Sequence, residues 1–125
     1  MHKNKIRILL ADDHPVVREG IRSCLIKHAH LEIVGEAENG REALVQARAL
    51  LPDLVLLDIN MPILNGLQAA AALRQEVPQT KILILTVFND KEYVLQVARS
   101  GAHGYVLKES SPQELVQAIE TVCRG

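Results

Sequence analysis

The sequence predicts an open α/β fold, a doubly wound parallel sheet with helices on both faces. Three observations predict it. Short apolar runs alternate with longer segments of helical periodicity, five times over. Four of the five runs are continuously apolar rather than alternating, as strands covered on both faces must be. The 125 residues are 48% hydrophobic but only 2% aromatic, so a single domain of ordinary size is expected to close over an aliphatic core.

The elements follow in order. IRILLA (6–11) reads as a strand that stops abruptly at Asp12-Asp13. His14-Pro15 then opens a helix with Val17, Ile21 and Leu25 on its apolar face. LEIVGEA (31–37) is the most polar run and is expected at a sheet edge. Leu44, Ala47 and Leu51 mark a second helix. LVLL (54–57) ends in Asp58 and is followed by Asn60-Met61-Pro62. Asn65-Gly66 belongs to the loop opening a third helix, whose face is Ala70, Leu73 and Val77. KILILT (81–86) precedes a fourth face at Val94, Val97 and Ala98. Gly101 reads as a helix stop and Gly104 as the start of the last run, GYVLK (104–108). Ser111-Pro112 opens the fifth helix, with Leu115, Ala118, Ile119 and Val122 inward. No repeat, low-complexity segment or internal linker interrupts the pattern.

Bulk properties narrow the function. The formal net charge is -1 and the 14 Lys and Arg residues are scattered, so nothing in this chain itself suggests affinity for nucleic acid. No stretch approaches the ~20 apolar residues of a membrane span. Ile6–Ala11 is too short for a secretion signal. Cys24 and Cys123 have no metal-ligand spacing and read as thiols of a reducing compartment, so cytoplasm is the expected location.

The chemistry sits at the strand ends. In an open parallel sheet the carboxyl ends of the strands share one edge, where ligands bind. Asp12, Asp13, Asp58, Thr86 and Lys108 all fall there. Taken singly, each has an ordinary explanation: a helix cap for Asp12 or Asp13, a loop acid for Asp58, a β-forming Thr86, a solvated Lys108. Taken together they bring three carboxylates, a hydroxyl and an ammonium into one crevice. Unit charges ~4 Å apart interact by ~4 kcal/mol at an effective dielectric near 20, so the acids must hold protons or share a cation. Mg²⁺, with Mn²⁺ as a substitute, fits best: it takes one or two carboxylates, keeps waters and leaves room for a phosphoryl group. With oxygen-only ligation, His14 reads as a helix-start or rim residue. His28, His30 and His103 share no spacing and read as surface or strand-edge residues. Tyr93 is open between a partner contact and a half-buried ring.

The motifs ADDHP, LLDINMP-x-x-NG, ILILT and GYVLK, in this order and spacing across essentially the whole chain, resemble the receiver domains of bacterial two-component response regulators. DDHPVVREG and GAHGYVLKES look most like the LuxR/NarL-like subgroup. The resemblance implies a single flavodoxin-like (βα)5 receiver over residues 1–125, with strand order 2-1-3-4-5. It implies Asp58 as phosphoacceptor, Asp13 as a direct Mg²⁺ ligand, Asp12 as a ligand directly or through water, and the Asn60 backbone carbonyl as a further ligand. Thr86 and Lys108 would each contact a phosphoryl oxygen, and Tyr105 would be the switch aromatic that moves inward with Thr86. The implied partners are a sensor histidine kinase that supplies the phosphoryl group, small phosphodonors, and a second copy of the chain on activation. The implied output face is helix four, strand five and helix five. DNA would be reached only through a C-terminal helix-turn-helix domain that this chain lacks.

Two features depart from the commonest pattern. Glu109 follows Lys108 where proline is frequent; a cis bond without proline costs ~3–4 kcal/mol, which sets Glu109 against the family's cis geometry. Val87 and Phe88 are bulky and are expected to restrict water and slow phosphate loss. The competing readings are a haloacid-dehalogenase-like phosphatase and a phosphorylation-independent pseudo-receiver. Against the first, Asn60 stands where those enzymes need a second acid, and Asp12-Asp13 precedes Asp58 rather than following it. Against the second stands the full set of acids with Thr86 and Lys108. The expected molecule is a phosphoacceptor that takes part in its own modification, not a turnover enzyme.

Overall fold

The computed structural model describes residues 5–87 and 91–124. Strands and helices alternate: β1 (Ile6–Ala11), α1 (Pro15–Leu25), β2 (Leu31–Ala37), α2 (Gly40–Leu50), β3 (Leu54–Asp58), α3 (Gly66–Glu76), β4 (Lys81–Thr86), α4 (Lys91–Arg99), β5 (Gly104–Leu107) and α5 (Pro112–Arg124). The sheet is five-stranded and parallel in the order β2-β1-β3-β4-β5, the flavodoxin-like arrangement. Chain order reverses between β1 and β3, so the crevice beyond their carboxyl ends is the topological switch point.

Side-chain alternation along the inner strands builds two aliphatic layers. Leu9, Ala11, Val55, Leu57, Ile82 and Ile84 face α2, α3 and Val97 of α4. Ile8, Leu10, Leu54, Leu56, Leu83 and Leu85 face α1 and α5. Both faces are covered, which is why these strands read as unbroken apolar runs. β2 lies at one edge of the sheet, in keeping with its polarity. Cys24 and Cys123 pack on the same α1–α5 side and are free thiols; burial pushes the Cys123 thiol up to about 11.

The local signals act as read, with two exceptions. Asn65 caps α3 by accepting from Gln68 N at 2.8 Å, while Gln68 Oε1 accepts from Asn65 N at 3.0 Å. Ser111 and Glu114 make the equivalent reciprocal pair at α5. Gly101 has φ 92 and ends the turn after α4. Ala98, read on the apolar face of α4, is exposed, and Val97 alone of that helix is buried; Leu51 is not part of the buried face of α2 but an exposed left-handed C-cap, φ 48. Pro52 follows and disfavours helical geometry at the residue before it, so the buried face is Ala43, Leu44 and Ala47. Tyr93 is half-buried against the α2–α3 layer. Among the described residues no peptide bond is cis, Lys108-Glu109 included, and no helix is long and apolar enough to cross a membrane.

His103 ties β5 to β4. Its N–H donates to Ile82 O at 2.8 Å, and its Nδ1 accepts from Ile82 N at 3.0 Å. A ring that accepts at Nδ1 must be neutral. Burial, then the charges of Lys81 and Arg74, hold His103 below the usual histidine range. A depressed histidine contributes stability that is present above its unfolded value and is lost as pH falls through the folded one. The denaturation midpoint should therefore fall as pH is lowered from about 6.5 to 5, and fall less steeply in His103→Gln. Parallel pH profiles for the two proteins would exclude the coupling.

Candidate functional site

β1 and β3 are neighbours, and Ala11 pairs in register with Leu57. The residues that follow, Asp12 and Asp58, therefore emerge side by side. Both are enclosed, at 0% and 1% exposure, as is Thr86 at 1%. Lys108 follows β5, where its backbone N–H donates to Thr86 O at 2.8 Å. Its side chain extends past the end of β4 to place Nζ 3.0 Å from Asp58 Oδ1 and 3.3 Å from Asp12 Oδ2. Asn60 N–H donates to Asp58 Oδ1 at 3.3 Å. Thr86 shares its sheet face with Ile84 and Tyr105 by alternation, and Ile84 pairs with Tyr105 across β4 and β5. Tyr105 is 39% exposed, so its ring is turned outward. Val87 is exposed at the rim rather than packed over the crevice; Phe88 lies outside the described residues.

Neither Asp12 nor Asp13 caps α1. The N-cap position is His14, whose side chain makes no capping bond. Its N–H donates to Asp12 Oδ1 at 2.8 Å, and its ring Nδ1 lies 3.2 Å from that oxygen and 3.0 Å from Asp13 Oδ1. The turn carrying the two acids is held from below by Arg18, one helical turn on. Arg18 Nη1 donates to Asp12 O at 2.6 Å and Nε donates to Glu36 Oε1 at 3.1 Å, while Arg22 grips the same Glu36. Sequence reasoning missed this brace. Its signal was present: two arginines at i, i+4 on α1 opposite an acid near the end of β2.

The loop after β3 is equally constrained. Leu64 N–H donates to Pro62 O at 2.7 Å across Ile63, which has φ 70. This is a γ-turn at a β-branched residue, a costly backbone state. Gly66 opens α3 so close to β3 that a Cβ there would meet Asp58 O at 2.4 Å.

Electrostatics leave the crevice short of positive charge. Burial is the largest influence on Asp58 and raises its pKa; the charge of Asp12 adds to this, and Lys108 and Asn60 N–H only partly offset it. Burial alone would lower Lys108, but its hydrogen bond and charge pairing with Asp58, with Asp12 adding, outweigh that and raise it. One ammonium is held firmly charged between carboxylates that are still under-compensated. Among the described residues, Asp12 Oδ2, Asp13 Oδ1 and Asp58 Oδ2 are buried and find no hydrogen-bond partner; the first two face Lys108 and His14 at ion-pair distance without hydrogen-bond alignment. One ligand atom from each of Asp12, Asp13, His14 and Asp58 falls within a 4.8 Å group. Three carboxylates gathered at this spacing, each with a buried oxygen left unsatisfied, fit a divalent cation with oxygen ligands.

The fold agrees with what known proteins show. The model of the response regulator receiver domain matches residues 8–120, and the chain belongs to that family. Its relatives place it in the LuxR/NarL group. It is 43% identical over its full length to the transcriptional regulatory protein YxjL of Bacillus subtilis (strain 168), covering 57% of that protein. It is 39% identical over 94% of its length to the nitrate/nitrite response regulator NarL of Escherichia coli (strain K12), covering 55% of that protein. The crystal structure of a LuxR-family two-component response regulator from Aurantimonas sp. SI85-9A1 superposes with a TM-score of 0.92 at 40% identity, over 97% of this chain and 86% of that one. The chain spans about half the length of the curated relatives it matches.

Two outcomes follow from the geometry. The folded pKa of Asp58 is raised, so its contribution to stability is full below its ordinary 3.8 and is lost as pH rises through the folded value. At pH near 7 with a chelator present, Asp58→Asn should therefore unfold at a higher temperature than the wild type, and adding Mg²⁺ should raise the wild-type midpoint while leaving the variant's nearly unmoved. A less stable variant under chelation would contradict the charge deficit. Gly66→Ala should lose roughly 2–4 kcal/mol, a Cβ forced into backbone rather than into a side chain that can yield; unchanged denaturant midpoints would show that α3 is free to shift.

Proposed function

We propose that the chain is a phosphorylation-controlled switch in which Asp58 accepts a phosphoryl group in a Mg²⁺-dependent reaction. The observation that carries this reading is the Asp58 carboxylate itself. It is enclosed, its Oδ1 is held by Lys108 and Asn60 N–H, and its Oδ2 is left without a hydrogen bond beside two further acids. A held carboxylate with one free oxygen is an oriented nucleophile.

Asp58 attacks phosphorus in line. The new bond is from the carboxylate oxygen to phosphorus, and the bond from phosphorus to the donor, a histidine ring nitrogen of a sensor kinase or a small phosphodonor, breaks with its electron pair leaving on the donor. Lys108 meets negative charge on the phosphoryl oxygens, and Thr86 donates its hydroxyl to another. Asp12, Asp13, Asp58 and the Asn60 carbonyl would hold Mg²⁺, or Mn²⁺ in its place, which when bound neutralises charge on the phosphoryl group. Water later hydrolyses the acyl phosphate, returning Asp58 and inorganic phosphate. Self-modification of this kind is not turnover catalysis.

The readout begins with Thr86. Drawn toward the phosphoryl group, it vacates space on the face it shares with Tyr105, and the outward Tyr105 ring turns in. The α4–β5–α5 face is thereby biased between two arrangements, with coupling of roughly 1–3 kcal/mol. The output is transcriptional and passes through a C-terminal helix-turn-helix domain in the cytoplasm, with dimerisation on activation. Relatives about twice as long as this chain support that part of the reading.

Mass spectrometry after treatment with acetyl phosphate and Mg²⁺ should find one phosphoryl group on the wild type and none on Asp58→Ala. Lys108→Ala should be labelled about 10²-fold more slowly. An unlabelled wild type, or equal labelling of Asp58→Ala, would end this reading.

A further inference from the structure

His14 is held in an unusual place for a surface histidine. Pro15 follows it and keeps its backbone extended, φ -103 and ψ 109. Its own N–H is fastened to Asp12 Oδ1 at 2.8 Å. The ring is 60% exposed on its outer side, yet Nδ1 points back into the acids, 3.0 Å from Asp13 Oδ1 and 3.2 Å from Asp12 Oδ1. Two donors bound to one ion at ~2.0–2.2 Å stand ~3.0–3.4 Å apart when their bonds meet at roughly 90–110°. Nδ1 therefore stands from each of the two carboxylate oxygens at the spacing of an edge of a coordination polyhedron.

The enclosed member of the same cluster points to a ligand as well. Asp58 is 1% exposed and its Oδ2 makes no hydrogen bond, and a carboxylate oxygen of Asp58 falls within the same 4.8 Å group as His14. Asp12 divides its two oxygens, Oδ1 toward His14 and Oδ2 toward Lys108. A cation can therefore be received on the His14 flank without displacing the lysine.

We propose that His14 makes the acidic crevice a mixed nitrogen–oxygen site, one that takes a borderline first-row dication such as Zn²⁺ through Nδ1 and thereby sets the site's selectivity against Mg²⁺. This rests on the metal reading of the crevice given above and extends it. Mg²⁺ is hard and binds through oxygen, leaving the imidazole aside; Zn²⁺ takes imidazole and carboxylate together. A nitrogen donor at this position therefore raises the affinity for borderline ions alone. Such an ion would occupy the crevice that Asp58 needs for phosphoryl transfer, so the ratio of the two ions becomes an input to the switch.

His14→Ala is a clean probe. The side chain makes no capping bond, and the backbone bond to Asp12 survives the substitution. The His28 and His30 rings, with centroids 6.0 Å apart and His30 paired with Glu120, offer Zn²⁺ an unrelated imidazole pair. The measurement is therefore made in a His28→Ala, His30→Ala background. Zn²⁺ and Mg²⁺ are titrated calorimetrically, each also in competition with the other, and the ring nitrogens are followed by ¹⁵N NMR. His14→Ala should weaken Zn²⁺ by about 10–100-fold, the scale of losing one supporting or direct ligand, and leave Mg²⁺ essentially unchanged. Asp13→Asn should weaken both. The Nδ1 resonance of His14 should move with Zn²⁺ and not with Mg²⁺. Equal Zn²⁺ affinity with and without His14, or Zn²⁺ binding indifferent to Asp13→Asn, overturns the proposal while leaving the Mg²⁺ reading intact. Failure of both ions to bind overturns the two together.

Discussion

The structure is organised around one electrostatic imbalance: carboxylates enclosed at the end of a parallel sheet, with, among the described residues, a single ammonium between two of them. Burying an unpaired charge costs several kcal/mol, and here Lys108 compensates only part of the charge of Asp12 and Asp58. The remainder is a standing demand for a further cation. That demand makes the crevice responsive, because anything that alters the charge balance there changes the energy of every element that contributes to it. β1 and β3 supply acids, β5 the ammonium, and β4 the hydroxyl of Thr86, so a local charge event is felt across four strands.

The rest of the fold makes such an imbalance tolerable. Two aliphatic layers, one under α1 and α5 and one under α2, α3 and α4, hold the strand ends in fixed register. The loops that carry the acids are braced from outside the crevice. Arg18 and Glu36 grip the turn after β1. The γ-turn at Ile63 and the close approach of Gly66 fix the turn after β3. A strained residue and a glycine whose Cβ would strike Asp58 O indicate a loop whose path is dictated by the site rather than by its own preferences. Against this rigid half, Tyr105 stands exposed on an edge strand.

Much of this was legible in the chain. Five apolar runs separated by helical periodicities dictated the layers, and the polar residues ending those runs pointed to the crevice. Asn65, Ser111 and Gly101 acted as their chemistry requires. Leu51 misled because its spacing fits the apolar face of α2, while its neighbour Pro52 forces the helix to end. Arg18 escaped notice because its partner, Glu36, is 18 residues away, and only the pairing of β1 with β2 brings them together. His14 was set aside on the ground that Mg²⁺ avoids nitrogen, an argument about the ion that says nothing of where the ring lies.

Sequence alone determined what is periodic or covalent: which segments form strands and helices, that the sheet is parallel, and that three acids, a threonine and a lysine stand at strand ends. Hydrophobic spacing and turn chemistry act within a few residues, so they can be read along the chain. Tertiary structure alone decided which oxygen of Asp58 is held and which is free, that Lys108 reaches past β4 to bridge Asp12 and Asp58, and that the His14 ring turns back onto the acids. Those outcomes depend on the register of neighbouring strands and on charges that meet only after the core has closed.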